Sequence, residues 1–331
     1  MFWSNKSILI TGGSGFLGKN LTMHLIELGA NRIKIADNLE RQSEYALSIE
    51  NNNIEFIKCD LRDKKSCIEI CDGIDIIFHC ASKVGSNRYY IDSAFDVMSN
   101  NILIDSNVLN AAIKSNISSY VYISSGFVYP LERMQDAFSK GIVEEESLPA
   151  NPVNSYGWAK LMGELSLKYA TRFNNHLNGV VLRLSNFYGP FQNDDYKKGS
   201  IIPVLIRKAH EFSKNNSFSI FGNGNETRTY CYISDVLDAL CIAAKKSYEG
   251  HFIGPLNIGS EMPIKIVDLA NKIIQISGKE INLHRIPSKN PKTMSQTLDC
   301  GLAKIILDGW TPQISLDTGL KKMYNHYKKT T

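Results

Sequence analysis

Three side chains of this 331-residue sequence, Ser125, Tyr156 and Lys160, have the types and spacing for joint acid–base work. Tyr156 and Lys160 lie four apart in Ser155-Tyr156-Gly157-Trp158-Ala159-Lys160, which opens a predicted helix to about 173, so they share one helix face. An ammonium beside a phenol favours the phenolate, which brings a group normally protonated up to about pH 10 toward use as a base near neutrality. Ser125 ends the predicted strand Tyr120-Val121-Tyr122-Ile123-Ser124-Ser125, and its hydroxyl can bond the same substrate oxygen. Such a set can take the proton from an alcohol as its carbon gives up hydride, and then return it. The alternative is an ordinary helical pair, and the elements around these residues decide between the two readings.

Hydride needs an acceptor, and the N-terminal stretch is built for one. Ile8-Leu9-Ile10 reads as a buried strand, Thr11-Gly12-Gly13-Ser14-Gly15-Phe16-Leu17-Gly18 as a tight turn, and Leu21, Leu25, Ile26 and Leu28 as one face of a helix that stops at Gly29. This is the opening of a dinucleotide-binding βαβ unit. Gly12 turns the chain off the strand, Gly15 lets backbone approach a pyrophosphate, and Gly18 lets the helix pack on the sheet with its free N–H groups toward the anion. Arg32 to Asn38 reads as a second strand ending in Asp37, 19 residues after Gly18. A carboxylate there accepts both ribose hydroxyls and repels a 2′-phosphate, which favours NAD. Arg41 keeps NADP open, and turn capping is the structural alternative for Asp37.

Further strands end where ligands collect in an open parallel sheet. Ile54 to Cys59 leads to Asp60-Leu61, and Asp75 to Ala81 leads to Ser82-Lys83, where small residues would let backbone meet a cofactor. Asn101, on a predicted helix over 92–115, either ties those loops together by hydrogen bonds or is simply exposed. The expected cofactor contacts are therefore Gly12, Gly15, Phe16, Leu17, Gly18, Asp37, Asn38, Asp60, Leu61, Ala81, Ser82, Lys83 and Asn101, with Tyr156 and Lys160.

The alternation of strands and helices to residue 184 predicts an α/β fold, a doubly wound parallel Rossmann sheet, followed by a smaller irregular α/β C-terminal lobe. We expect 1–185 to form the NAD-binding domain with 229–258 returning to it, and 186–228 with 259–331 to form the substrate lobe. Thr229 to Ile233 reads as one strand, with helices at 201–212, 235–246, 265–277 and 301–307. Hydrophobic content of 43%, charged content of 21% and a net charge of +4 without a basic block argue against a nucleic-acid partner. The lysines at 320–329 read as the solvated face of a terminal helix. No apolar run reaches about 18 residues, which argues against a membrane partner. Cys67 and Cys71 have helical spacing but no second ligand pair, so the seven cysteines point to packing in a reducing compartment, the cytoplasm, rather than to a metal.

Taken together, these motifs resemble the extended short-chain dehydrogenase/reductases of the nucleotide-sugar epimerase/dehydratase family, nearly end to end. The likeness includes the glycine loop, Asp60-Leu61, Ser124-Ser125 before Val128-Tyr129, Tyr156 with Lys160, and Arg183 with Asn186 before Tyr188-Gly189-Pro190. It continues through Gly222-Asn223-Gly224 before Thr227-Arg228, Asn257-Ile258-Gly259 and Gly309-Trp310-Thr311-Pro312. The resemblance implies catalysis by Ser125, Tyr156 and Lys160, and substrate phosphate contacts from Asn186 and Arg228. It implies a homodimer through the helices near 92–115 and 157–173, using Ile102, Leu103, Leu109, Leu161 and Leu165. Ala81 to Gly85, Asn100-Asn101 and Val128-Tyr129-Pro130 are similar to the GDP-fucose synthase and GDP-mannose 3,5-epimerase branch, which implies a GDP-sugar in surface-polysaccharide precursor synthesis. Four departures matter. Phe127 stands where that branch carries a cysteine acid/base, Gly126-Phe127 where a 4,6-dehydratase carries Asp-Glu, and Ser200 roughly where 3,5-epimerases carry a second acid/base lysine. Gln296 replaces the family's usual arginine. A 4-epimerase is the expected activity. A C4 dehydrogenase or 4-ketosugar reductase, a 4,6-dehydratase and a non-catalytic NAD-binding sensor or scaffold are the alternatives.

Overall fold

The computed structural model describes residues 2–40, 53–85, 87–134, 141–196, 198–213, 217–250, 252–287 and 297–330. The first half runs β1 (Ile8–Thr11), α1 (Phe16–Glu27), β2 (Ile33–Asp37), β3 (Ile54–Lys58), α2 (Lys64–Cys71), β4 (Ile76–His79), α3 (Asn87–Asp92), α4 (Ala94–Lys114), β5 (Ser119–Ser125), α5 (Ser155–Phe173) and β6 (Asn178–Leu184). The second half runs β7 (Phe187–Tyr188), α6 (Ile201–His210), β8 (Phe218–Phe221), β9 (Thr227–Thr229), β10 (Cys231–Tyr232), α7 (Ile233–Glu249), β11 (Ile253–Ile258), β12 (Pro263–Lys265), α8 (Ile266–Ser277), β13 (Leu283–Ile286), α9 (Gly301–Ile306) and α10 (Leu316–Thr330).

Seven strands form one sheet in the order β11-β6-β5-β4-β1-β2-β3, and every neighbouring pair is parallel. Strands buried on both faces read as unbroken apolar runs, because alternate side chains enter opposite layers. Ile8, Ile10, Ile76 and Phe78 pack toward α1 and α7, while Leu9, Ile77, Tyr120 and Tyr122 pack toward α2, α4 and α5. The strand order reverses between β1 and β4. Crossovers diverge there and leave a crevice above the carboxyl ends of the two strands.

Several boundaries differ from the sequence expectation. The helix expected over 92–115 begins at Ala94, and a separate α3 precedes it. The strand expected over 229–233 divides: β9 pairs antiparallel with β12, β10 pairs parallel with β7, and α7 starts at Ile233. The chain is redirected there because the Cys231 N–H donates to the Asn186 carbonyl (3.0 Å). A third small sheet joins β8 to β13. On α10, Leu320, Met323 and Tyr324 are buried while Lys321, Lys322, Lys328 and Lys329 are exposed.

Two of the residues expected at a subunit interface, Leu109 and Leu161, are buried inside the protomer, because helical periodicity turns them toward the sheet and a neighbouring loop cluster. Exposed apolar residues of these two helices include Phe95, Met98 and Leu103 on α4 and Trp158, Met162, Tyr169 and Phe173 on α5. The two helices pack side by side.

Candidate active site

The glycine turn sits over the crevice between β1 and β4. Gly12 has φ +67°, and a Cβ on it would lie 2.7 Å from the Ala81 backbone. A Cβ on Gly18 would lie 2.5 Å from the Gly12 carbonyl oxygen, so α1 can reach the sheet only without a side chain there. Gly15 caps α1 with no side-chain bond, which leaves the first N–H groups of the helix directed outward. Phe16 and Leu17 form the first turn, and the Phe16 ring stacks on Phe187 at 5.4 Å. The Ser14 hydroxyl is buried with no hydrogen-bond partner. Asp37, at the tip of β2, accepts from the Ser14 N–H (3.0 Å) and the Leu39 N–H (2.8 Å). The capping reading of Asp37 is thus realised, and each of its oxygens retains a lone pair for a ligand hydroxyl. A close-approach cradle, free helix N–H groups, an orphaned hydroxyl and an acid at the next strand tip together fit a dinucleotide such as NAD. Arg41 lies outside the described residues.

The surrounding expected contacts are held by local bonds. Asn38 accepts from the Glu40 N–H (3.0 Å). Asp60 is gripped by the Arg62 guanidinium, whose hydrogen bond holds that carboxyl below its usual range, and Arg62 also donates to Asn100 (2.9 Å). Nothing in the sequence singled out Arg62. Leu61 is buried in the core, and its carbonyl accepts from Asn107 (3.1 Å). Asn101 is fully buried: it accepts from the Ser82 hydroxyl (2.8 Å) and the Lys83 N–H (2.7 Å), and donates to the carbonyls of Lys83 and Val97. Of its two readings, the loop tie is the observed one. Lys83 pairs with Asp96 (3.0 Å) and Glu40 (3.5 Å).

Ser125 ends β5, two strands from β1, and accepts from the Phe127 N–H (3.2 Å). Tyr156 stands in the first turn of α5, which begins after Asn154, whose side chain caps it by accepting from the Gly157 N–H (3.0 Å). Ser125 and Ser82 lie near the Tyr156 hydroxyl and favour its ionised form. Lys160 lies one turn on, buried, with its ammonium 5.9 Å from the centre of the Tyr156 ring and 4.7 Å from that of Tyr122. Burial pushes the Tyr156 phenol above its ordinary value, the charge of Asp105 adds to this, and the bonds from Ser82 and Ser125 oppose it. This corrects the expectation of a phenol lowered by its lysine. Dehydrating a phenolate is the largest influence here, and the Lys160 ammonium stands 5.9 Å from the ring centre.

Two aromatic rings enclose the phenol. Tyr90 stacks on Tyr156 at 5.1 Å with an interplanar angle of 9°, and Phe127 meets it edge-on at 6.3 Å. Sequence reasoning passed over Tyr90. The only signal was an aromatic pair, Tyr89-Tyr90, between a strand tip and a helix.

Asn186, just past β6, and Arg228 on β9 come close together. The Asn186 amide donates to the Thr229 carbonyl (3.3 Å), and Arg228 precedes Thr229 on β9 with one donor on the Thr227 carbonyl (2.8 Å). The remaining donors of the guanidinium can serve an anion. Gln296 lies outside the described residues, and Ser200 is an exposed residue before α6. Arg183 turns inward: it is buried, bonds both oxygens of Glu164 (2.9 and 2.7 Å), and donates to the Glu144 carbonyl and Ser147. Ser124 joins the same carboxylate (2.5 Å), so adjacent serines on β5 serve opposite faces. Among the described residues no group of three side chains could hold a metal, and no helix is long and apolar enough to cross a membrane.

With this geometry in view, comparison with known proteins is specific. Residues 8–259 match the family described as the NAD dependent epimerase/dehydratase family. GDP-mannose 3,5-epimerase of Arabidopsis thaliana is 26% identical over 325 residues, spanning 98% of this chain and 83% of the relative. GDP-L-fucose synthase of Sinorhizobium fredii is 30% identical over 257 residues, spanning 76% of this chain and 78% of the relative. The crystal structure of UDP-glucose 4-epimerase with UDP-glucose from Thermotoga maritima superposes with a TM-score of 0.84 at 26% identity, covering 98% of this chain and 99% of that one.

Proposed function

The chain belongs to the NAD dependent epimerase/dehydratase family, and from that premise we propose that it is a 4-epimerase of a nucleoside-diphosphate sugar, with a GDP-sugar as the favoured substrate. NAD, when bound in the glycine-loop cradle, supplies reversible acceptance of a hydride from carbon. Tyr156 takes the proton from the C4 hydroxyl, Ser125 holds the same oxygen, and Lys160 stabilises the phenolate from the next turn. Return of hydride to the other face of the C4 ketone, with Tyr156 giving the proton back, completes the inversion. Asn186 and Arg228 bind the diphosphate.

The observation that carries this reading is what stands beside Tyr156. Phe127, edge-on to its ring, and Gly126 have no proton to move. Inversion at C3 or C5, or loss of water across C5–C6, needs an additional acid or base near the sugar; oxidation and reduction at C4 do not. Incubating the NAD-loaded protein with GDP-hexoses in heavy water tests the reading. Inversion at C4 without deuterium at C3 or C5 is expected. Deuterium at either carbon, or a 4-keto-6-deoxy product, overturns it, and net NADH formation assigns the chain to the C4 dehydrogenases.

The preference for GDP rests on the local likenesses at Ala81 to Gly85 and Val128 to Pro130 and on the GDP-sugar relatives. In thermal-shift comparison of GDP, UDP, CDP and dTDP, GDP should stabilise most. A larger shift with UDP would reverse the preference.

A further inference from the structure

Below the proposed base lies a buried polar cluster that the reaction as written does not use. Asp105 of α4 is 5% exposed, and His79 of β4 and Tyr122 of β5 are 0% and 1% exposed. The Tyr122 hydroxyl donates to Asp105 Oδ2 at 2.5 Å, and His79 Nε2 lies 3.0 Å from Oδ1. An ionised carboxylate only accepts, so Nε2 carries the proton and Nδ1 accepts from the Thr11 hydroxyl at 2.8 Å. The Lys160 ammonium stands over the Tyr122 ring, 4.7 Å from its centre. One turn beyond Lys160, α5 passes so close that a Cβ on Gly163 would lie 2.8 Å from Asp105 Oδ2 and 2.0 Å from the Tyr122 hydroxyl.

We propose that Asp105 is a positioning residue for the proton transfer: its carboxylate is the buried counter-charge of Lys160, and by offsetting that ammonium it sets the pH at which Tyr156 changes protonation. The inference rests on the reading of Tyr156 as the base. The other groups around Asp105 leave this pairing dominant. On α5, Glu164 is neutralised by Arg183 at 2.7 Å. On β4, burial holds His79 neutral by lowering its affinity for a second proton, and just after the strand burial pushes the Cys80 thiol up to about 12. On β5, burial pushes the Tyr120 and Tyr122 phenols well up, and on α2 it pushes the Cys67 and Cys71 thiols to about 12, so all stay uncharged. On α4 itself, Asp96 and Lys114 lie more than two turns away. Burial raises the Asp105 carboxyl, but the charge of Lys160 and the bonds from His79 and Tyr122 outweigh it and keep the group ionised.

The chemistry gives such a counter-charge a use. A group that must both take a proton from C4–O and return it works best when its affinity for that proton is intermediate. An unopposed ammonium would hold Tyr156 as a phenolate too weakly basic to take the C4 proton readily. Asp105 restrains that pull.

The test uses NAD-loaded protein labelled with tyrosine bearing 13C at the hydroxyl carbon, titrated by NMR, with Tyr156→Phe identifying the Tyr156 resonance. Neutral Asp105→Asn should move the Tyr156 midpoint to lower pH, on the order of one unit. Tyr122→Phe, which removes a bond to the carboxylate but no charge, should leave it within a few tenths. An unmoved midpoint in folded Asp105→Asn, or an equal displacement in Tyr122→Phe, overturns the proposal. Should the amide variant fail to fold, the smaller neutral Asp105→Thr carries the same expectation. The titration needs no sugar, so it stands whether or not the 4-epimerase reading does. With an accepted sugar, the acid limb of kcat should move with the midpoint.

Discussion

Burial disfavours ionisation of Tyr156: Tyr90 covers one face of the ring and Phe127 meets its edge. Its usefulness as a base depends on the charges placed around it rather than on the phenol alone. Replacing it with phenylalanine should lower kcat by about 10²–10⁴-fold, while the NAD content of the purified protein, read from its ultraviolet spectrum after denaturation, stays unchanged. Turnover that survives this substitution would remove the catalytic assignment. His79 carries a pH prediction of its own. Burial lowers its affinity for a proton below the ordinary value of 6.5, so as pH falls through 6.5 the unfolded chain binds a proton that the folded chain refuses. Stability contributed by this site is therefore full above that pH and declines below it. Chemical denaturation at stepped pH should show the decline, and a His79→Gln variant should lose that part of it.

At the scale of elements, the site depends on close approaches between backbones. β1 and β4 come near enough at their ends that Gly12 has no room for a methyl group against Ala81. Gly12→Ala should therefore separate turn from strand tip and yield protein depleted in NAD, measurable in the same spectrum. The tie between β6 and α5 is different in kind. Arg183 and Glu164 are 2% and 5% exposed and bonded twice, with Ser124 and the Glu144 carbonyl completing the set. Glu164→Gln leaves a buried guanidinium without its counter-charge and should cost about 3–5 kcal/mol of unfolding free energy in denaturant titration. It should also disturb β5, whose last residue is Ser125.

For the whole molecule, the seven-stranded sheet assembles the site from both halves of the chain. β11, close to residue 258, lies beside β6, and Asn257 there donates to the carbonyls of Ile142 and Asp299 (2.9 Å each) while accepting from Tyr129. Outside, α4 and α5 present Phe95, Met98, Leu103, Trp158, Met162 and Tyr169 side by side. We propose that these helices join two copies of the chain, since exposed apolar residues on adjacent helices are what an isologous contact buries. Light scattering at micromolar concentration should give the mass of a dimer, and Met162→Glu with Leu103→Glu should give a monomer. A wild-type monomer would remove the proposal.

What the sequence by itself determined is whatever depends on local chemistry. Apolar runs buried on both faces specified parallel strands, the glycines specified a turn that approaches an anion, and the i, i+4 pair put Tyr156 and Lys160 on one helix face. Asn101 was legible as a polar residue out of pattern, though which of its two readings held was not. The tertiary structure alone decided what depends on residues far apart in the chain. It stacked Tyr90 on Tyr156, turned Arg183 inward to Glu164 instead of toward the site, put Leu109 and Leu161 in the interior, and divided the segment after Arg228 between two small sheets. It also linked Asp105 and Lys160 through the Tyr122 side chain. The physical reason is that burial and charge act through space. Desolvation and the nearest opposite charge govern a protonation state, and neither is a property of spacing along a chain.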